Sequence, residues 1–441
     1  MVVALVAGLF GLAALTSDGG EDSPESAVQK LVDALVNEDV LGALEALVPA
    51  ERAVLRGRTV ELGDQLRRLG IVDERLDLAH VAGADLTVEG LELGSERLSD
   101  DIAAVRATKG SIRLRVSGEE LPIGPLLKDL VADPGSISSP PPADLSGGEV
   151  VLVAVRRDGD WFVSLGYTAA ELARRDSGAE VPKFGHGVVP KGASSPEDAV
   201  RQVAAAAAAF DVRRVIELTP PGEADALHDY APLFLPAADR AVAEMRDQGV
   251  QAEVPTLELE SGPNKEGETR VTIKRLTVKV TSGQEPFVFD YDGRCVKIDG
   301  LLEDGLPPMC RDAESEDQPF SEAAFSYFDL TTVERGGSWF VSPTGSLLDA
   351  MLDTLRALER EKLAEVVKKQ PYSLFYLLYP TPFLYGSAMF TGGGSFESGE
   401  ETVSAPARPM GLEAPATSVP VTATIEAPHR QTAVTSRVPA S

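Results

Sequence analysis

Few residues in this sequence could do chemistry. It carries four histidines (His80, His186, His228 and His429), two cysteines (Cys295 and Cys310) and a surplus of carboxylates. Catalysis needs a nucleophile or an acid–base pair beside a place for substrate. The sequence has no G-x-S-x-G elbow, phosphate-binding loop, G-x-G-x-x-G or H-E-x-x-H. His80 lies between Ala79 and Val81 with no partner at metal-ligand spacing, and no D-x-[DN]-x-[DN]-G loop gathers carboxylates for calcium. His228 sits in His228-Asp229-Tyr230, where a carboxylate neighbour could tune an imidazole base, although the plainer reading is a polar helix end. His186 and His429 fall in a connector and a tail and are expected to be solvated. The acidic pairs Asp100-Asp101 and Glu119-Glu120 are chain neighbours, which on a strand would point to opposite faces, so they are read as solvated surface. The residues themselves nominate no catalytic group, metal ligand or cofactor, and the expectation is a non-enzymatic protein.

Cys295 and Cys310 lie 15 residues apart across a Gly/Pro-rich stretch. With no CxxC spacing, the expected role is a structural disulfide in an oxidising compartment. Closing that loop is worth roughly 3 kcal/mol in the chain-entropy description. The net charge of −28, from 41 basic and 69 acidic side chains, repels phosphate backbones and excludes nucleic acid as a partner. Met1–Thr16 is apolar and free of charge, and Asp18, Glu21 and Asp22 follow it. Sixteen residues are short for a span and no Lys or Arg precedes them, so residues 1–22 are expected to be a transmembrane or signal-anchor segment that begins upstream of Met1. The rest of the chain is then extracytoplasmic, on the cell membrane.

The organisation shows as internal similarity. Ser23-Pro24-Glu25-Ser26-Ala27-Val28 recurs 172 residues later as Ser195-Pro196-Glu197-Asp198-Ala199-Val200. In each, serine can cap a helix, proline suits its first position and the acidic residues favour its positive end. Val28, Leu31, Val32 and Leu35 then mark an apolar face, as do Val200, Val203 and Ala207 in the second copy. A second helix follows Asn37–Leu41 and Phe210–Val215. Strands are expected over Leu86–Leu93, Ala103–Thr108, Ser111–Val116 and Val150–Arg156, then over Thr256–Glu260, Arg270–Val280, Phe287–Tyr291 and Ala323–Leu330. Each copy closes on one signature, Gly159-Asp160-Trp161-Phe162-Val163-Ser164 and Gly337-Ser338-Trp339-Phe340-Val341-Ser342, 178 residues apart. The two tryptophans of the chain, Trp161 and Trp339, thus hold equivalent places and are expected to close each core.

The expected fold class is α+β: two repeated units, 23–176 and 195–343, each with helices on a curved antiparallel sheet. The opening helix, the helical pair and the closing D-G-x-W-F-V-S-type strand resemble nuclear-transport-factor-2-like domains of actinobacterial and other Gram-positive envelope proteins. The resemblance implies cone-shaped units with apolar pockets under the helices. It also implies, by fold alone, an acid and a tyrosine such as Asp290 and Tyr291 if one cone were an isomerase or hydrolase. Residues 177–194 read as a Gly/Pro-rich linker. Residues 344–370 read as one long amphipathic helix carrying Leu347, Leu348, Met351, Leu352, Leu355 and Leu358 and ending at Pro371. The aromatic segment Tyr372–Phe390 (371–390) would dock on the protein, a partner or the membrane, and 391–441 read as a disordered tail. The functional expectation is a membrane-anchored binding or scaffold protein, with a small hydrophobic ligand or an envelope protein as partner; a lipid carrier, and a hydrolase or isomerase in a cone pocket, are the alternatives.

Overall fold

The computed structural model describes residues 20–128, 139–147, 150–264, 267–282, 286–300, 308–310 and 328–369. In the N-terminal half, α1 (Pro24–Val36) starts at Ser23, whose hydroxyl accepts from the Ser26 amide, and it buries Ala27, Val28 and Leu31. Glu38 takes a left-handed conformation (φ 58°) and turns the chain into α2 (Val40–Glu45), which Asp39 caps. α3 (Pro49–Arg68) has no clean apolar stripe for periodicity to reveal, yet it buries Val54, Leu55 and Leu66. Then come β1 (Ala84–Arg97), β2 (Ile102–Val116), the short α4 (Pro125–Lys128), β3 (Ala143–Asp144), β4 (Val151–Arg157), β5 (Asp160–Ser164) and α5 (Leu165–Ser177). The sheet is antiparallel, in the order β1-β2-β4-β5, with β3 also on β2. The separate strands expected over Ala103–Thr108 and Ser111–Val116 are one strand. Gly110 joins them at φ 125°, where a Cβ would stand 3.0 Å from Leu91 Cα. The register slips between Glu89 and Leu93 opposite it, so the ribbon bends at a bulge instead of ending.

The C-terminal half gives α6 (Pro196–Ala208), α7 (Val212–Glu217) and α8 (Asp225–Asp247), which contains Pro232 and Pro236. Its strands are β6 (Val250–Ser261), β7 (Glu268–Ser282), β8 (Phe287–Tyr291), β9 (Cys295–Asp299), β10 (Met309–Cys310), β11 (Asp329–Arg335) and β12 (Ser338–Val341). They form a curled antiparallel sheet, β10-β9-β8-β7-β11-β12, with β6 paired to β7. Cys295 and Cys310 face each other in the β9–β10 pairing and are disulfide-bonded. Two expectations need correcting. The strand anticipated at Ala323–Leu330 is β11, which begins only at Asp329; residues 323–327 lie outside the described residues. The single helix anticipated over 344–370 is two, α9 (Pro343–Ala357) and α10 (Arg360–Lys369). Leu358 is extended (ψ 134°) and its carbonyl accepts from Arg68 at 3.0 Å, so a cross-chain donor meets the orphan end of α9. The break lets Leu355, Leu363 and Val367 all enter the N-terminal core, which also holds Trp161. Trp339 is buried with Ala199, Val200, Leu218 and Val271.

The same contacts occur in both halves, displaced by 172 residues in the helices and 178 in the closing strands. Trp161 bridges to Glu21, and Trp339 to Ala193. The Val163 amide donates to Ala46, and the Val341 amide to Leu218. A Cβ on Gly20 or Gly192 would lie 2.6 Å or 2.8 Å from the ring of Phe162 or Phe340, so each chain entry needs glycine for close approach. Glu51 accepts from the Ser164 hydroxyl and the Leu165 and Gly166 amides at the start of α5. Glu223 accepts from the Ser342 hydroxyl and the Thr344 amide at the start of α9. Each final helix thus receives a carboxylate at its positive end.

Residues 1–19 and 370–441 lie outside the described residues, and with them the anchor, aromatic-segment and tail expectations. Among the described residues no helix is long and apolar enough to cross a membrane. Among the described residues the β8–β9–β10 extension has only the two-residue β10 as its outer strand, so its stability should lean on the disulfide. Cys295→Ser with Cys310→Ser is expected to lower unfolding stability by about 3 kcal/mol in denaturant titrations, and reduction of the native chain should reproduce the loss.

Candidate functional site

A cavity of about 290 Å³ opens in the C-terminal half between α6, α7, β11, β12 and the start of α9. Val203, Val215, Leu330, Val341, Pro343 and Leu347 form its apolar wall, and Thr219, Asp329 and Ser346 supply the polar groups. The places related to these by the 172- and 178-residue displacements carry different side chains. Where α1 buries Leu31, α6 carries Val203; Leu47 is replaced by Thr219, and buried Val151 by Asp329. Ala43 and Ala169 run the other way, to Val215 and Leu347. Side chains are thus both lost and gained around the space, so its wall differs from the related places in composition and not by a net loss of volume. The polar change at Asp329 puts a carboxylate on that wall.

His228 stands behind this wall, in the first turn of α8 and buried, instead of at a solvated helix end. Its Nε2 is 3.1 Å from the Ile216 carbonyl and 3.0 Å from Thr219 Oγ1, so Nε2 carries the proton. Nδ1 is buried without a partner, and burial lowers the imidazole pKa, keeping the ring neutral. Asp229 makes no hydrogen bond to the ring; its charge opposes the effect of burial without overcoming it, and its carboxylate accepts from Tyr167 Oη at 2.5 Å. The other sequence candidates do not assemble. His80 is exposed, 3.3 Å from Glu38, and His186 is exposed. His429 lies outside the described residues. Asp290 accepts from Thr277 on the exposed face of β8, while Tyr291 is buried on the opposite face against Phe328. Strand alternation therefore separates this acid from this tyrosine. Asp100-Asp101 and Glu119-Glu120 are exposed in turns. Among the described residues no cluster of His, Cys, Asp or Glu could hold a metal ion.

Two ionic clusters that periodicity could not reveal lie where the halves meet. α5 packs on α8, and α9 packs on α3. Glu171 in α5, fully buried, accepts from Tyr230 of α8 at 3.0 Å and from Arg174 and Arg175. Asp349 in α9 accepts from Arg58 of α3 at 2.8 and 2.9 Å and from Thr331; Arg58 also pairs with Glu268. Positions 58 and 230 are related by 172 residues, and 171 and 349 by 178, so the joint is reciprocal. Burial works to raise both carboxyls, but the hydrogen bonds and charge of their partners hold each below the ordinary carboxylate range. Burial likewise works against the Arg58 charge, and the Asp349 and Glu268 contacts overcome it and raise its pKa. The linker docks along this joint: Phe184 packs on Tyr167 and Tyr230, and the Val188 amide donates to the His228 carbonyl.

No protein-family model matches the sequence, and no characterised protein matches it either.

Because Asp349 titrates lower folded than unfolded, its contribution is present above the unfolded pKa of about 3.9. It is lost as pH falls below that value through the folded one. Asp349→Asn is expected to flatten this acid loss of stability, read from melting curves between about pH 5 and about pH 2. Arg58→Ala is expected to cost on the order of 2 kcal/mol, since it strands a partly buried carboxylate.

Proposed function

We propose that this chain is a membrane-anchored, extracytoplasmic binding protein made of two nuclear-transport-factor-2-like cones in tandem. In this reading the second cone holds a small apolar ligand and the first is a filled support. The observation that carries it is the cavity under α6 and α7, where the related residues of the N-terminal half are the buried Leu31, Leu47 and Val151. The recurrence of contacts at constant displacement supports the tandem architecture. The charge-free Met1–Thr16 segment and the Cys295–Cys310 bridge suit an exported chain. Asp329 is the one ionisable residue among the described lining residues, so an acid–base pair for isomerase or hydrolase chemistry would have to come from elsewhere.

The test is native mass spectrometry of the full chain purified from the envelope of cells that produce it, beside the variant Val203→Phe, which fills the cavity from the helix side. The expected result is an apolar compound retained in stoichiometric amount by the native chain and absent from the folded variant. A native chain that carries no ligand, or a variant that keeps it, would sink the reading.

A further inference from the structure

The groups that could offer a ligand a hydrogen bond at this cavity are spent on the protein itself. Thr219 Oγ1 donates to the Ile216 carbonyl at 2.7 Å and accepts from His228 Nε2 at 3.0 Å. Ser346 Oγ donates to the Ser342 carbonyl at 2.6 Å and accepts from the Thr331 amide at 2.9 Å. Of the Asp329 carboxylate, Oδ1 is enclosed by protein and shows no surface to the space, and Oδ2 lies 3.5 Å from Arg270 Nη2. The strand backbone is committed as well. Asp329 and Leu330 pair with Thr272 and Val271 of β7, and the Val341 amide donates to the Leu218 carbonyl. What faces the space is hydrocarbon from Val203, Val215, Leu330, Val341, Pro343 and Leu347, and the surface of the cavity is almost wholly apolar. Water needs two or more polar partners to stay in such a place, so it is held weakly there. A hydroxyl, amine or carboxylate carried inside would lose its hydration and find no partner in exchange.

We infer that the part of the ligand held in this cavity is hydrocarbon alone, a skeleton of up to about twelve carbon atoms with no hydrogen-bonding group inside the wall. The inference rests on the reading of the cavity as a ligand site, and it narrows the ligand to one selected by volume and not by a head group. The size follows from scale: a dry apolar cavity of about 150 Å³ takes one benzene ring, and this space of about 290 Å³ is close to twice that. A free hydrocarbon meets the rule, and so does the end of a lipid chain whose head stays outside. Fatty acids, alcohols and amines short enough to be enclosed whole are rejected, because the desolvated head has no counterpart.

The full chain is titrated by calorimetry with two isosteric pairs. Quinoline differs from naphthalene by one acceptor nitrogen, and indole differs from indene by one N–H donor. The native chain is expected to bind each hydrocarbon at least about tenfold more tightly than its polar isostere, the scale of one hydrogen bond to water left unreplaced. Val203→Phe is expected to lose naphthalene while keeping a cooperative melt. If that variant does not fold, Val203→Leu, which installs the side chain of the related Leu31, takes its place and should bind naphthalene more weakly. Palmitate, whose chain is longer than the cavity, is then added as a competitor. Displacement of naphthalene assigns the hydrocarbon to the end of a lipid chain and no displacement assigns it to a free hydrocarbon, and either result supports the rule. Equal affinities within either pair would overturn the hydrocarbon rule while leaving the cavity a ligand site, since a polar partner would then exist inside it. Undiminished binding by the folded Val203 variant would place the probe elsewhere and overturn the rule too. Failure of all four compounds to bind the native chain would overturn the ligand site itself.

Discussion

A carboxylate in the second turn of each final helix, Glu171 in one half and Asp349 in the other, reaches across to the third helix of the opposite half. Everything else in the arrangement follows from keeping those two groups paired. A buried charge without its partner costs more than the pair contributes, so the joint is permissive only when both halves are in place. Each final helix is held in line by the strand before it and by Glu51 or Glu223 at its first turn. The closing strand is held in turn by the tryptophan that buries in its own half. A chain of local contacts thus ends in a contact between halves, and it does so twice with the roles exchanged. The residue types differ, Tyr230 on one side and Arg58 on the other, so geometry is kept while charge is not.

Several contacts recur in the two halves at constant displacement, but the cores differ. The C-terminal half alone continues past its final helix, and the break at Leu358 turns that continuation into the N-terminal core, where Leu363 and Val367 are buried. The N-terminal half returns only α5, which ends at Gly178 in a left-handed cap. The C-terminal half holds a cavity under its helices, with Val203 of α6 and Asp329 of β11 in its wall. The C-terminal half also extends its sheet with β8, β9 and β10, where the N-terminal half has, among the described residues, only the two-residue β3 on the corresponding flank of β2. The disulfide sits at the outer edge of that extension and pins a pairing too short to persist on backbone hydrogen bonds alone.

The sequence by itself determined what is local or periodic: the serine-capped openings of α1 and α6, the α+β class, the disulfide pair and the closing strands with Trp161 and Trp339. It marked these because caps, alternation and short-range spacing act within a few residues. It missed α3, whose apolar residues follow no stripe, and read β2 as two strands because Gly110 looks like a stop until a bulge opposite it absorbs the slip. Only the tertiary structure decided that α9 and α10 separate, since the donor that ends α9 is Arg68, far away along the chain. Only it decided that His228 is buried and neutral, that Asp290 and Tyr291 face apart, and that Arg58, Tyr230, Glu171 and Asp349 form one joint. Val203, Thr219 and Asp329 were visible as residues, but their convergence on one cavity wall appears only in space. Packing and ion pairing join residues distant in sequence, and no local pattern records which distant residue will arrive.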